Sequence, residues 1–89
     1  MKIQLHKFDN TSDWVNGYID NLQFEAKLFD TGSIFGINNG RVSKLHIWNK
    51  KNEDIVSYDR NWDIKPNKEN SKYYKAIMKF LENLPKRFD

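Results

Sequence analysis

Two neighbouring segments with an alternating apolar pattern constrain the fold of this 89-residue chain more than any other feature. The first, residues 41–49, alternates around Leu45, and the second, residues 55–62, alternates around Val56. Period-two patterning with β-branched and aromatic residues is typical of strands. The polar residues 50–53 between the segments predict a loop, so together they predict a β-hairpin.

The four-residue loop determines the predicted register of this hairpin. The predicted cross-strand pairs are Arg41–Trp62, Lys44–Asp59, Leu45–Tyr58, His46–Ser57, Ile47–Val56 and Trp48–Ile55. This register joins apolar side chains with each other and a lysine with an aspartate, as cross-strand pairing favours. It also predicts a cation–π contact between Arg41 and Trp62.

The segments before the hairpin predict two or three further strands. Residues 1–8 alternate and predict an edge strand, and residues 9–13 predict a polar turn. Residues 14–30 predict a second hairpin, in which Asp20 and Asn21 form the turn because both tolerate positive φ.

The C-terminal part of the chain predicts one helix, over about residues 68–84. Apolar residues recur there at three- and four-residue spacing, and Pro85 ends the helix. Strands followed by a helix predict an α+β fold. We therefore expect a single domain, residues 1–89, with a four- to five-stranded antiparallel β meander within residues 1–64. The C-terminal helix is expected to pack on one face of the sheet.

Residues 31–40 contain three of the four glycines. Their spacing does not fit a phosphate-binding loop of the type G-x-x-x-x-G-K-[ST], and no helix start follows them. Glycine at turns that need positive φ is the better interpretation.

Composition excludes several classes of function. The chain has no cysteine, which predicts no disulfide or thiolate chemistry and an intracellular, cytoplasmic location. No apolar run reaches the ~20 residues of a membrane helix. The net charge of +3 permits nucleic-acid contact without requiring it.

The sequence contains no catalytic or metal-binding signature. His46 opposite Ser57 is the one nucleophile–base pair that the register suggests, but it lacks an oxyanion hole and an orienting acid. No histidines or carboxylates show ligand spacing. We therefore expect a protein that is not an enzyme and has no cofactor and no metal, with a small hydrolase as a remote alternative.

Basic and aromatic residues at one end of the central hairpin form a candidate ligand site. Its members are Arg41, Lys44, Arg60 and Trp62. Cations beside an aromatic face suit an anionic, planar ligand such as a nucleotide. The alternative is a structural ion-pair cluster of Arg60 with Asp59 and Asp63. Strand-borne aromatics interleaved with cations also suit nucleic-acid binding, the second functional hypothesis.

The sheet face away from the helix is a candidate interface, since one helix can cover only one face. The residues predicted there are Trp14, Tyr18, Phe29, Trp48 and Ile55. Tyr and Trp are enriched where interfaces derive their energy. We expect either a homodimer or a complex with a target protein. The alternative is that the N-terminal strand and residues 31–40 fold back over this face.

Two segments resemble a family of small phage-associated and bacterial proteins. They are F-G-I-N-N-G-R-V-S-K-L-H-I at residues 35–47 and Y-D-R-N-W-D at residues 58–63, within a resemblance that covers residues 14–84. The family pattern has glycine at Asn39 and Asn61 and an aromatic residue at His46.

The resemblance implies a setting and no catalytic residue, because the family carries no assigned activity. It implies a small accessory protein of a phage or mobile element, of a kind that binds a host enzyme, a defence complex or a nucleotide signal. The leading functional hypothesis is therefore a binding protein that antagonises a host factor or defence system.

Overall fold

A computed structural model of the chain, which describes residues 2–7 and 13–85, contains a six-stranded antiparallel sheet and one helix. The strands lie in the sheet in chain order, each beside the next. The elements are β1 (Ile3–Lys7), β2 (Trp14–Ile19), β3 (Leu22–Leu28), β4 (Val42–Trp48), β5 (Asp54–Asp59), β6 (Trp62–Ile64) and α1 (Ser71–Glu82). The α+β class and the antiparallel meander are confirmed. The predicted turn at residues 9–13 falls, apart from Asp13, outside the described residues.

The number of strands was predicted too low, because the chain reverses again after Asp59. Arg60 adopts a positive φ of 63°, and the Asp59 amide donates to the Asn61 carbonyl at 3.0 Å. This tight turn returns Trp62 to lie beside Tyr58 as β6. A positive φ is unusual at arginine. Position 60 itself is neither glycine nor asparagine, the residues that usually indicate such a turn.

Both hairpins predicted from the sequence form, and most of their pairs are in the predicted register. In the β2–β3 hairpin, Asp20 has a φ of 50° and Ile19 lies opposite Leu22. In the β4–β5 hairpin, the pairs from Lys44–Asp59 to Ile47–Val56 are as predicted.

The register of the central hairpin differs from the prediction at both ends. Trp48 pairs with Asp54, so that Ile55 is an extra residue in a β-bulge. At the other end, Arg41 precedes β4 and does not oppose Trp62, which pairs with Tyr58 instead.

The core lies between the sheet and α1. Its fully buried side chains come from the inward positions of β2 to β5, from the loop before β4 and from the helix. They include Ile19, Phe24, Leu28, Leu45, Ile47, Ile77 and Leu81. Trp62 and Tyr74 pack at the margin of this core, with ring centroids 5.7 Å apart.

The helix is shorter than predicted at both ends. Asn67 and Asn70 precede it and accept hydrogen bonds from each other's backbone amides at 2.9 and 2.8 Å. This reciprocal arrangement holds residues 67–70 in a turn, so the helix begins at Ser71. It ends at Glu82, three residues before Pro85.

Candidate functional site

The face of the sheet opposite the helix, hereafter the open face, presents its side chains in three rows across the strands. The first row contains Gln4, Tyr18, Gln23, Trp48 and Asp54. The middle row contains Asn16, Glu25, His46 and Ser57. The third contains Trp14, Lys27, Lys44 and Asp59. These positions alternate along each strand with the buried residues of the core, so the pleat alone brings them together.

No described element covers the open face. β1 extends the sheet beside β2, and residues 31–40 lie on the other side, where the Tyr58 hydroxyl donates to the Phe35 carbonyl at 2.9 Å. The alternative in which β1 and this loop fold back over the face is therefore wrong. Trp14 remains 43% and Tyr18 37% exposed.

Lys44 and Asp59 form an ion pair on the open face. Lys44 Nζ lies 3.8 Å from the Asp59 carboxylate, and the same ammonium is 6.0 Å from the centre of the Trp14 ring. Within β2 to β5, the rows contain two lysines, Lys27 and Lys44, and the three carboxylates of Glu25, Asp54 and Asp59.

His46 occupies the centre of the open face between two carboxylates. Its Nε2 is 2.5 Å from Asp54 Oδ1, and its Nδ1 is 3.8 Å from Glu25 Oε1. Its ring also stacks on Trp48, with the centroids 4.9 Å apart. Because both nitrogens face carboxylates, neither is directed at the Ser57 hydroxyl, and the geometry of a nucleophile–base pair is not formed.

A shallow depression of about 330 Å³ lies between Trp14 and His46. Its polar lining is supplied by Glu25, Lys44, His46, Asp54, Ser57 and Asp59. Glu25 and Asp54 were not predicted as members of this site. Their positions depend on the pairing of β3 with β4 and on the bulge that places Asp54 opposite Trp48, and the sequence pattern indicates neither.

Four of the five predicted interface residues lie at the open face. Trp14, Tyr18 and Trp48 belong to its rows, and the Phe29 ring lies 5.4 Å from the Lys27 ammonium of the third row. Ile55 does not belong to this face. As the bulged residue of β5 it is displaced from its position opposite Trp48, and it packs against the core.

The four residues of the predicted anion site lie near one end of the central hairpin, but their side chains do not converge. Lys44 points to the open face, whereas Trp62 contacts Tyr58 and Tyr74 at the margin of the core. Arg60 is exposed in the turn after β5. The predicted cation–π contact of Arg41 with Trp62 is wrong, because the arginine has other partners.

Arg41 and Glu82 join the start of β4 to the end of the helix. Arg41 donates from Nε to the Phe29 carbonyl at 2.8 Å and from Nη1 to the Leu84 carbonyl at 2.6 Å. The Glu82 carboxylate accepts from the backbone amides of Arg41, at 2.9 and 3.0 Å, and Val42, at 3.2 Å. We call this arrangement the Arg41–Glu82 clamp. It assigns Arg41 a structural role in place of the predicted ligand contact.

Two further properties bear on the classes of function. Within residues 2–7 and 13–85, no group of three histidines or carboxylates has the geometry to hold a metal ion. No helix in the same residues has the length and apolar character needed to cross a bilayer.

Comparison with known proteins identifies the family of this chain. The model of a domain of unknown function, DUF7678, matches residues 13–82. The chain therefore belongs to the DUF7678 family, and the match spans the sheet from β2 onward together with the helix. No curated protein and no solved structure matches the chain.

Proposed function

We propose that this member of the DUF7678 family is a non-enzymatic binding protein whose open face docks on another protein. The observation that carries the proposal is the composition of that face. Trp14 and Tyr18 are exposed and Trp48 is partly exposed. They lie beside two paired groups, Lys44 with Asp59 and His46 with Asp54. Aromatic residues of these types dominate the energetics of protein interfaces.

Pairing within the face lowers the cost of covering it. A partner that excludes water from Lys44 or His46 leaves each beside a carboxylate, at 3.8 and 2.5 Å. Burying an unpaired charge is far more costly than burying a paired one. The open face can therefore be desolvated by a partner that brings mostly apolar and neutral polar groups.

The size of the face also suits a protein partner. The five strands β1 to β5, spaced about 4.8 Å apart and about 20 Å long, present roughly 500 Å² in projection, and more when the relief of the side chains is counted. One partner contributes about 800 Å² to a standard interface. A small ligand would be held poorly, because the depression at the centre is shallow.

The charge of the face favours a protein over a nucleic acid. Nucleic-acid affinity comes largely from cations that neutralise phosphates. Within β2 to β5, these rows carry three carboxylates against Lys27 and Lys44, and Lys44 is paired with Asp59. The orientation of both His46 nitrogens toward carboxylates likewise supports a role other than hydrolysis.

The setting of this function is proposed from the sequence resemblance alone. It is that of a phage or mobile element, in the cytoplasm of the host, with a host factor or defence protein as the target. A small protein that binds through one face and has no catalytic site would antagonise its target by covering part of the target's surface.

The test compares wild-type protein with a Trp14→Ser/Trp48→Ser variant as baits in extracts of the host cells. A Lys72→Ser/Lys75→Ser variant, altered on exposed helical positions, is the matched control. We expect one protein to be retained by wild type and control and lost by the open-face variant. Calorimetry with the purified partner should then show at least a tenfold loss of affinity, or about 1.4 kcal/mol.

Two results would contradict the proposal. One is a partner that binds the open-face variant and the wild type equally. The other is a mobility shift of nucleic acid at low salt that disappears steeply as salt rises, since that dependence indicates phosphate contacts. Light scattering that shows a dimer, converted by Trp48→Lys to a folded monomer, would reassign the face to a second copy of the chain.

A further inference from the structure

The loop before β4 displays two large apolar side chains to solvent. Ile34 is 82% and Phe35 54% exposed, which makes them the two most exposed large apolar residues described. Ile37, only two residues further along the chain, is 3% exposed and belongs to the core. The loop therefore buries one apolar residue and holds two others outward.

The backbone of this loop is held by hydrogen bonds on both sides of its tip. The Phe35 amide donates to Ser33 Oγ at 3.1 Å, and the Tyr58 hydroxyl donates to the Phe35 carbonyl at 2.9 Å. The Gly36 amide donates to the Ser33 carbonyl at 3.0 Å. A Cβ atom on Gly36 would lie 2.0 Å from the Gly40 carbonyl oxygen, so the two backbone segments meet too closely for any other residue.

Because the backbone of this loop is already held in place, binding through its side chains should cost less conformational entropy. Ordering a loop on association normally reduces affinity, and a loop that is already ordered avoids that loss. Two adjacent large apolar side chains, Ile34 and Phe35, are the parts of this loop that a partner would reach first. The Ile34–Phe35 tip is therefore a protruding apolar element that is already ordered before it binds.

We propose that the Ile34–Phe35 tip is a second docking element, which inserts into an uncharged apolar pocket of a protein partner. The tip lies on the side of the sheet opposite the open face, because Tyr58, which holds it, belongs to the core side. The inference is thus independent of the proposed function of the open face. It would allow the chain to contact protein on both sides.

The charge of the loop decides between a protein pocket and a lipid surface. Residues 31–40 contain no charged side chain. Stable membrane attachment by a small apolar element needs additional attraction, usually from a cluster of basic residues. An uncharged pair of side chains instead complements a pocket of similar size and without charge on another protein.

The first experiment compares Ile34→Ser with Ile37→Ser, the same substitution at an exposed and a buried position of one loop. We expect Ile34→Ser to change the melting temperature of the full chain by no more than about 3 °C. Ile37→Ser should lower it several times more, or prevent folding. An equal effect of the two substitutions would overturn the inference, since Ile34 would then be a packing residue.

The second experiment places a photo-crosslinking phenylalanine derivative at position 34 or, as a control, at the exposed Lys51, in the cells in which the chain occurs. We expect one polypeptide to be linked from position 34 only, through a peptide that lines an apolar pocket. Ile34→Ser should weaken the affinity of that purified polypeptide at least tenfold.

Other outcomes of this experiment would overturn the inference. They are the absence of a crosslink, equal crosslinking from Lys51, and unchanged affinity after Ile34→Ser. Flotation of the wild-type chain with vesicles of three parts phosphatidylcholine to one part phosphatidylglycerol, lost in Ile34→Ser, would show that the tip enters lipid instead.

Discussion

The Arg41–Glu82 clamp makes a quantitative prediction about stability. Replacing Glu82 with alanine removes the acceptor of two backbone amides, those of Arg41 and Val42. Both hydrogen bonds are partly buried, so alanine leaves the two amides without a protein acceptor. A hydrogen bond to a charged group contributes about 1.5 kcal/mol or more, so the loss is about 3 kcal/mol.

The assay is thermal and urea denaturation followed by tryptophan fluorescence. A loss of about 3 kcal/mol corresponds to a fall in melting temperature of roughly 12–24 °C for a domain of this size. Glu82→Gln keeps one oxygen acceptor without the charge, and we expect about half the effect. Glu69→Ala, at an exposed acid just before the helix, is the matched control and should change the free energy of unfolding by less than about 0.5 kcal/mol.

A double variant tests the mechanism of the clamp. A Cβ atom on Gly40 would lie 2.6 Å from Glu82 Oε2, so Gly40→Ala should push the carboxylate away from the amides. Its cost should be smaller when Glu82 is already alanine, because the obstructing group is gone. The reasoning would be refuted if Glu82→Ala stayed within about 0.5 kcal/mol of wild type, a margin typical of surface substitutions, or if the two costs were simply additive.

Three further predictions concern the core, the sheet edge and alkaline pH. Phe24→Ala, at a fully buried position, should cost about 3–5 kcal/mol and abolish cooperative unfolding if the chain is only marginally stable, as denaturation curves would show. Gly17→Ala should loosen β1, because a Cβ atom there would lie 2.2 Å from the Gln4 carbonyl oxygen; hydrogen exchange should show reduced protection in β1 while α1 stays protected. Burial, and to a smaller extent the charge of Tyr58, raise the pKa of Tyr74 above the ordinary value of 10.0, so its stabilising contribution is complete below pH 10.0 and is lost as the pH rises through the folded-state pKa. Tyr74→Phe should therefore lose less stability than the wild type as the pH rises above 10.0, which denaturation curves at a series of pH values would measure.

The open face shows which parts of a candidate site can be derived from a sequence. Alternation along a strand assigns each residue to one of two faces, so Trp14, Tyr18 and Trp48 were correctly placed together. Ile55 was misplaced because it is the extra residue of a β-bulge, so that Asp54 lies opposite Trp48 in its place. No local sequence pattern indicates this bulge.

The side chains of the candidate anion site do not converge, for a different reason. Residues near in the predicted register were assumed to point toward one another, but Lys44 and Trp62 lie on opposite sides of the sheet. Arg41 is held by carbonyls of Phe29 and Leu84, which lie far from it in the chain. The pairing of a long charged side chain depends on which elements pack beside it.

The sequence by itself determined the α+β class, the two hairpins and the position of the helix, because each depends on hydrophobic period and turn residues within a short segment. Only the tertiary structure decided that Arg60 would turn the chain into a sixth strand and that Glu82 would cap the start of β4. It also decided that residues 31–40 would leave the open face uncovered. These features depend on contacts between residues up to 41 positions apart, whose energies are set by packing geometry and not by local propensity.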